Sequence, residues 1–428
     1  MEAMVDRFQN ELLPAASQLT ARLCESYLRL AKEGLAQQNE AVPDHLDVDS
    51  LVSNGEDDKV SGAMGVAKTI GIVVSCIDSS PEILSQVQEV IIPIIRFTLE
   101  NKLVDLFDNT HDLVDALTFR LHAISLNMWP VFELTYDVFK SDAVDFLDEI
   151  PPSLNNFVSY GTEVLKARPD YRQKVLDIYR TAMTSPQLGD NDKINGCKLA
   201  ESMLLNLHGH FDDLMQDIIA IAADHIDKGE TASFQLANLE ALINAVLYNA
   251  SAALHFMEAY KPGLARVFFN RWFAAINTDN KLPRVHDKKL SILALCKLLE
   301  MEAGAIPEGL RDGWPGIVGG ALNIFKTLPQ AVAKREALED QLVEGDDDND
   351  DDDETRYLNL EGEEDEDVWD EDSAYLEILA KEGARMREKS EKAETGDDES
   401  DTSEESEIEE ELGFFSLLDT INPYVTFK

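Results

Sequence analysis

The chain has little of what marks a disulfide-bonded, zinc-binding or membrane-spanning protein. Its cysteines are Cys24, Cys76, Cys197 and Cys296. They lie more than 50 residues apart and form no C-x-x-C pair, so we expect neither disulfide, metal nor cofactor. The longest apolar runs, 70–77 and 90–95, are far too short to cross a bilayer, and no signal peptide precedes them. A soluble protein of a reducing compartment is predicted, without membrane insertion.

Signatures of catalysis are also scarce. The glycines between Gly309 and Gly320 follow no predicted strand and make no phosphate-binding loop. His208 and His210 flank a glycine with no third ligand nearby, so a helix end is the better interpretation than a metal pair. The run Asp346–Asp353 has aspartate where a calcium loop needs glycine. We therefore predict that the protein is not an enzyme.

Basic residues are few, and the excess of acid is concentrated in one segment. The chain has 37 Lys and Arg against 83 Asp and Glu, a net charge of −46. Between Glu344 and Gly413 there are 33 acids and 6 bases, which is −27 in one segment. Such a segment cannot offset the entropy of ordering, so a solvated chain is expected over 344–413. It is either a solubility spacer or a polyanion that meets a Lys/Arg-rich partner, and it disfavours nucleic acid and anionic membrane.

The acidic segment contains the candidate site residues. Predicted contacts for basic cargo are Asp346, Asp347, Asp348, Asp350, Asp351, Asp352, Asp353, Glu363, Glu364, Asp365, Glu366 and Asp367. A short helix around 373–391 is expected inside the segment. Its predicted docking residues are Trp369, Tyr375, Leu376, Ile378 and Leu379. Residues 414–428 are apolar again and should pack back on the ordered part. Ser400, Thr402, Ser403 and Ser406 suit an acid-directed kinase.

Residues 1–343 show a helical period throughout. Apolar side chains in 106–121 recur at the spacing of one helix face, and strand-like alternation is nowhere sustained. Taken in pairs, the predicted helices begin near Val60, Leu106, Pro152, Asn191, Thr231 and His286. The separations of 46, 46, 39, 40 and 55 residues are typical of HEAT or armadillo repeats. An all-α solenoid of five to seven units with an acidic concave surface is predicted, and a generic helical bundle is the alternative.

Two segments carry a resemblance to a known family. Residues Arg266–Ile276 and Arg284–Leu299 resemble the late HEAT repeats of the importin-beta family, specifically its importin-7/importin-8 group. That group has an acidic insertion with a Tyr-Leu-Glu-Ile-Leu-Ala-Lys patch, which here is Tyr375–Lys381, followed by an apolar segment similar to Phe414–Lys428. The resemblance is strongest over Lys193–Lys428.

The resemblance implies a C-terminal portion of a nuclear transport receptor. Its partners would be basic cargo such as ribosomal proteins and histones, and the Phe-Gly repeats of nucleoporins. Ran-GTP binding is implied by the family, although we expect its main site, in N-terminal repeats, to be missing here. The implied location is the cytoplasm, the nucleus and the pore of the nuclear envelope. A HEAT scaffold and an acidic chaperone without transport activity are the alternatives.

Overall fold

A computed structural model describes residues 13–40, 56–77, 80–141, 144, 147, 150–228, 231–278, 281–348 and 416–427. The described residues form helices and include no β-strand, so the predicted all-α architecture of HEAT or armadillo type is confirmed. The α-helices, in chain order, are α1 Ala16–Glu40, α2 Glu56–Ser75, α3 Pro81–Glu100, α4 Phe107–Leu121, α5 Trp129–Ser141, α6 Pro151–Tyr160, α7 Thr162–Ala167, α8 Pro169–Thr184, α9 Asp190–Asn206, α10 Asp212–Ala223, α11 Ala232–Tyr260, α12 Leu264–Asn277, α13 Val285–Leu299, α14 Gly316–Asp348 and α15 Pro423–Thr426.

The chain divides into two compact units. The first comprises residues 1–248 and 255–262, and the second 249–254 and 263–428. In the first unit α2, α4, α6 and α9 pack against one another in turn. Helices α3, α5, α8 and α10 form a second row, with α3 on α5, α5 bonded to α8, and α8 on α10. Two rows built from successive helix pairs are the arrangement of a HEAT-type repeat, in which each pair covers the apolar face of its neighbours.

The predicted pair starts lie close to observed helix starts. The six observed first residues are Glu56, Phe107, Pro151, Asp190, Ala232 and Val285. Each lies within four residues of its prediction. Local chemistry sets several helix starts of the chain. Proline occupies the first turns of α3, α6 and α8, where its missing N–H needs no partner. Helix α1, which packs on α2 and α3, is outside the predicted pairs.

The long spacing before the last predicted pair has a cause in α11. This helix has 29 residues and breaks at Asn249, whose φ of −158° and ψ of 94° are not helical. The Asn249 Oδ1 accepts the N–H of Ala252 at 3.1 Å, so asparagine caps the segment that follows the break. The sequence also places a polar loop, Asn277–Arg284, after α12, and this loop adds to the spacing. The two segments of α11 account for part of it.

Aromatic side chains fill the core where α5, α6 and α8 meet. Trp129, Phe132 and Phe139 are buried, as the helical spacing predicts. The Trp129 ring stacks on Tyr171 with centroids 5.2 Å apart. Gly161, between α6 and α7, is required beside it, because a Cβ there would lie 2.7 and 2.8 Å from two Trp129 ring atoms. The contact fixes the close approach of these helices.

The two segments that resemble the importin-beta family lie in the second unit. Helix α13 packs on α14. The core of the second unit includes Trp272 of α12, which is fully buried and donates its Nε1–H to Ser291 Oγ of α13 at 3.1 Å. Arg284 and Asp287 close the start of α13. The Asp287 carboxylate accepts the Arg284 backbone N–H at 3.0 Å and its side-chain Nε at 2.7 Å. The resembling segments thus contribute core residues and a helix cap to the second unit.

Two further findings concern the part of the chain that the structure describes. No helix there is both long and apolar enough to cross a bilayer. No group of three or more His, Cys, Asp or Glu within the same residues is placed to hold a metal ion. His208 and His210 are exposed and follow the end of α9, and the His208 ring lies 4.9 Å from that of Tyr248.

Candidate partner-binding surfaces

The predicted cargo residues begin at the end of α14. Because α14 runs to Asp348, the backbone of Asp346, Asp347 and Asp348 is helical. The other predicted contacts lie outside the described residues, and so do the proposed docking residues. They are Asp350, Asp351, Asp352, Asp353, Glu363, Glu364, Asp365, Glu366, Asp367, Trp369, Tyr375, Leu376, Ile378 and Leu379. Their role as a partner-binding site stays a prediction.

A set of polar contacts joins α5 to α8 around Asp177. The Asp177 Oδ2 accepts the hydroxyl of Tyr136 at 2.9 Å and pairs with Lys140 Nζ at 2.9 Å. Arg180, one turn along α8, lies 3.7 Å from the other carboxylate oxygen and also pairs with Asp217 of α10 at 3.0 Å. Three successive helices of the second row are therefore linked through charged side chains.

The same pattern extends to the other end of α5 and α8. The Tyr171 hydroxyl donates to Glu133 at 2.8 Å, and Arg168 lies 3.7 Å from the same carboxylate. Lys174 approaches Asp137 at 3.9 Å. We call the complete set the inter-helix ladder. It consists of Glu133, Tyr136, Asp137, Lys140, Arg168, Tyr171, Lys174, Asp177, Arg180 and Asp217.

The ladder contains four carboxylates and four cations, and Arg168 also pairs with a further carboxylate, that of Asp170, at 2.6 Å. An acidic concave surface was predicted from composition and stays a prediction, whereas the four carboxylates of the ladder have cationic partners. Burial tends to raise the pKa of Asp177, but the hydrogen bonds from Lys140 and Tyr136 outweigh it and hold that pKa below its usual value. Burial, and then the bond to Asp177, raise the pKa of Tyr136 to about 12. Asp177 therefore stays ionised and Tyr136 stays neutral at physiological pH.

One aromatic side chain of the first row is exposed. Phe119 near the end of α4 is 39% exposed, and its ring lies 5.8 Å from that of His122. His122 in turn contacts Tyr160 at the end of α6, with centroids 5.2 Å apart. We call these three residues the aromatic notch. It lies where two successive helices of one row meet, and a small aromatic side chain of an extended peptide could contact it.

The C-terminal segment, residues 416–427, contacts α13 and α14. Lys289 of α13 donates to the carbonyl oxygens of Leu418 and Asp419 at 3.0 and 3.1 Å. Arg335 of α14 pairs with the Asp419 carboxylate at 3.0 Å, and Leu418 is 2% exposed. These carbonyls belong to the 3-10 helix Leu417–Thr420, and a cation near helix-end carbonyls is stabilising.

Aromatic contacts hold the other end of the C-terminal segment. Tyr424 stacks on Phe325 of α14 with centroids 4.8 Å apart, and Phe427 meets the same ring edge-on at 5.3 Å. Asn422 caps α15 through a 3.0 Å bond to the Tyr424 N–H. The sequence predicted that 414–428 would pack back but gave no partners for it. Lys289, Arg335 and Phe325 carry no local signal of this role.

Several curated relatives of this chain are importins by name. It is 27% identical over 315 residues to an importin beta-like SAD2 homolog from Arabidopsis thaliana, covering 72% of this chain and 29% of that protein. It is 24% identical over 374 residues to a probable importin-7 homolog from Dictyostelium discoideum, covering 85% and 33%. It is 26% identical over 287 residues to human importin-8, covering 65% and 27%.

These relatives confirm the resemblance to the importin-beta family that the sequence predicts. The chain spans about a third or less of the length of each relative described above. No family model and no solved structure matches the chain.

Proposed function

We propose that this importin-beta-like chain is part of a nuclear transport receptor and that its acidic segment binds basic cargo. Cargo of this chemistry would be Lys/Arg-rich proteins, for which ribosomal proteins and histones are the natural candidates. The printed names of the relatives support an importin, and the charge of the acidic segment supports the basic cargo. Contacts with Ran-GTP, exchange between cytoplasm and nucleus and residence at the pore are part of the same proposal.

The distribution of charge carries the argument for cargo binding. Each carboxylate of the ladder has a cation within 3.9 Å, whereas residues 344–413 hold −27 of the net −46. A cationic partner is attracted where the carboxylates lack cations of their own. Attraction by a solvated polyanion is screened by salt with a Debye length of about 10 Å at 0.1 M, so binding should weaken steeply as salt rises.

The aromatic notch supports the binding of nucleoporin Phe-Gly repeats, which is a second part of the proposal. Phe-Gly repeats present isolated phenylalanine side chains on extended chain, and Phe119, His122 and Tyr160 offer an exposed aromatic contact of matching size. A substitution of Phe119 by serine should weaken binding of a Phe-Gly peptide. It should leave histone binding unchanged, because the notch carries no carboxylate.

The cargo test compares two variants that lose equal charge at different places. In the first, the seven aspartates between Asp346 and Asp353 become asparagine. In the control, seven exposed carboxylates of the helical part become amides, namely Glu82, Asp105, Asp213, Glu302, Glu308, Asp312 and Glu339. Affinity for a core histone is measured by fluorescence anisotropy at 0.1 M and 0.3 M salt. The first variant should lose about tenfold in affinity, or roughly 1.4 kcal/mol, and the control much less.

Equal losses in the two variants would contradict the assignment of cargo binding to the acidic segment. Histone binding without Phe-Gly binding by the wild type would favour an acidic chaperone. Stoichiometric partners that stay with the protein through purification at high salt would favour a HEAT scaffold.

A further inference from the structure

Helix α14 has an apolar stripe that faces solvent. Val318 and Leu322 are 41% and 49% exposed, and Phe325 follows at the spacing that keeps all three on one helix face. Tyr424 of the C-terminal segment stacks on Phe325 and is itself 49% exposed, beside Val425 at 61%. We call these five residues the α14 stripe. Exposed apolar side chains this close together usually mark a binding surface.

The charge around the stripe is opposite to that of the chain as a whole. Residues 316–335 contain Lys326, Lys334 and Arg335 and no acid, in a chain with a net charge of −46. A basic cargo protein would be repelled from this part of α14. Arg335 already pairs with Asp419, but Lys326 is exposed. A ligand that is both apolar and acidic would be attracted, because its carboxylates could approach Lys326 while its apolar side chains cover the stripe.

The chain itself supplies a ligand of that chemistry. Residues 369–379 read Trp-Asp-Glu-Asp-Ser-Ala-Tyr-Leu-Glu-Ile-Leu, with apolar side chains among four acids. They lie between two points on α14. Before residues 369–379 in the sequence, α14 continues into the acidic segment and ends at Asp348. After them, Asp419 pairs with Arg335 of the same helix. A ligand tethered at both ends meets its surface at an effective concentration on the order of millimolar.

We propose that residues 369–379 of this chain dock on the α14 stripe. Docking would cover Val318 and Leu322, and it would divide the acidic segment into two arms that remain available to cations. The proposal does not depend on the identity of any cargo.

Disulfide trapping tests the contact in the full chain. Gly319→Cys places a thiol beside the stripe without removing it, since a Cβ at Gly319 meets nothing within 4 Å. It is paired with Ala380→Cys at the end of the proposed ligand, in a Cys76→Ser background, because the remaining cysteines are buried. The matched control pairs Gly319→Cys with Ala393→Cys. Ala393 is closer in sequence to the anchored Ser416, so a random tether would favour the control.

We expect the Ala380→Cys pair to form an intramolecular disulfide about tenfold faster than the control pair. Equal rates, or a faster control, would overturn the proposal. Disulfides that form mainly between two molecules would also overturn it, in favour of a second copy of the chain as the occupant.

Trypsin gives a second readout that needs no cysteine. Docking should shield Lys381, whereas Arg356 in the same acidic segment lies outside the proposed ligand. Leu322→Asp should therefore speed cleavage at Lys381 about tenfold relative to Arg356, because cleavage follows the undocked population. The control Leu126→Asp changes a side chain that is 84% exposed elsewhere. An unchanged ratio in Leu322→Asp would overturn the proposal. If Leu322→Asp fails to fold by circular dichroism, Leu376→Ser replaces it and must give the same rise.

Discussion

Lys289 holds the C-terminal segment by two hydrogen bonds, and its removal has a calculable effect. The Nζ lies 3.0 and 3.1 Å from the carbonyl oxygens of Leu418 and Asp419 in a part-buried position. Hydrogen bonds that involve a charged group contribute about 1.5–3 kcal/mol each, and partial exposure reduces this. Lys289→Met keeps the aliphatic length of the side chain and loses both bonds. We expect attachment of the segment to weaken by about 2 kcal/mol, which raises its detached population roughly 30-fold.

Hydrogen exchange measured by mass spectrometry reports that population directly. The amides of Ile421 and Val425 donate to Leu418 and Asn422 within the segment, so they exchange slowly while it stays folded on α13 and α14. In Lys289→Met the peptide 416–427 should exchange roughly 30-fold faster than in the wild type. Amides of α4 in the first unit provide the internal reference for global stability.

Lys297→Met is the matched control for this substitution. Lys297 lies on the same helix and pairs with Glu300 at 2.8 Å, but the two side chains are 48% and 63% exposed. Exposed pairs of this kind contribute about 0–1 kcal/mol, so exchange in 416–427 should not change. Wild-type exchange in a folded Lys289→Met variant would refute the assignment of the anchor to Lys289. A similar rise in Lys297→Met would show that loss of charge alone, and not the two bonds, detaches the segment.

Three further predictions concern stability, all measured by urea denaturation. Burial lowers the pKa of His111 from 6.5 to about 4. As the pH falls, the unfolded chain therefore binds a proton at this site before the folded chain does. The contribution of His111 to the free energy of unfolding is fully present above pH 6.5 and is lost as the pH falls towards 4. Between pH 7 and pH 5 the wild type should lose about 2 kcal/mol more than His111→Leu, and equal losses would contradict this. Gly161→Ala should lower the free energy of unfolding by about 1–3 kcal/mol, because the added Cβ would press on the Trp129 ring. Gly65→Ala should raise it by about 0.5–1 kcal/mol, because a Cβ there meets nothing within 4 Å and alanine favours the helix. Asn249→Ala should cost about 1 kcal/mol by removing the cap inside α11, while Asn249→Asp should retain most of it; equal costs would exclude the cap.

Helix starts were predictable because the residues that set them are local. A proline or a capping carboxylate acts within one turn, as Pro81 and Pro169 do at α3 and α8. The break in α11 was missed although it also has a local cause. Asn249 is an ordinary N-cap residue, but the apolar pattern continues across it on both sides, and the pattern alone predicts one uninterrupted helix.

The inter-helix ladder was not predicted, yet it leaves a signal in the sequence. Its partners are separated by the length of one repeat: Tyr136 and Asp177 by 41 residues, Glu133 and Tyr171 by 38, and Arg180 and Asp217 by 37. A search for complementary side chains at the predicted repeat period would have found these pairs. The anchors of the C-terminal segment have no such period. Lys289 lies 129 residues from Leu418, and only the folded second unit brings them together.

The position of charge in the chain follows from the balance between folding and binding. A helical row that carried unpaired carboxylates would repel itself, and the ladder avoids this by giving each of its acids a cation or a hydrogen-bond donor from the next helix. Acids that must stay available for a cationic partner cannot be paired in this way. Residues 344–413 hold more than half of the net charge, and under the proposed function these are the acids that bind the cationic partner. The contacts of Lys289 and Arg335 hold the chain on the helices of the second unit after that segment, so the acidic segment is attached to the second unit at both ends.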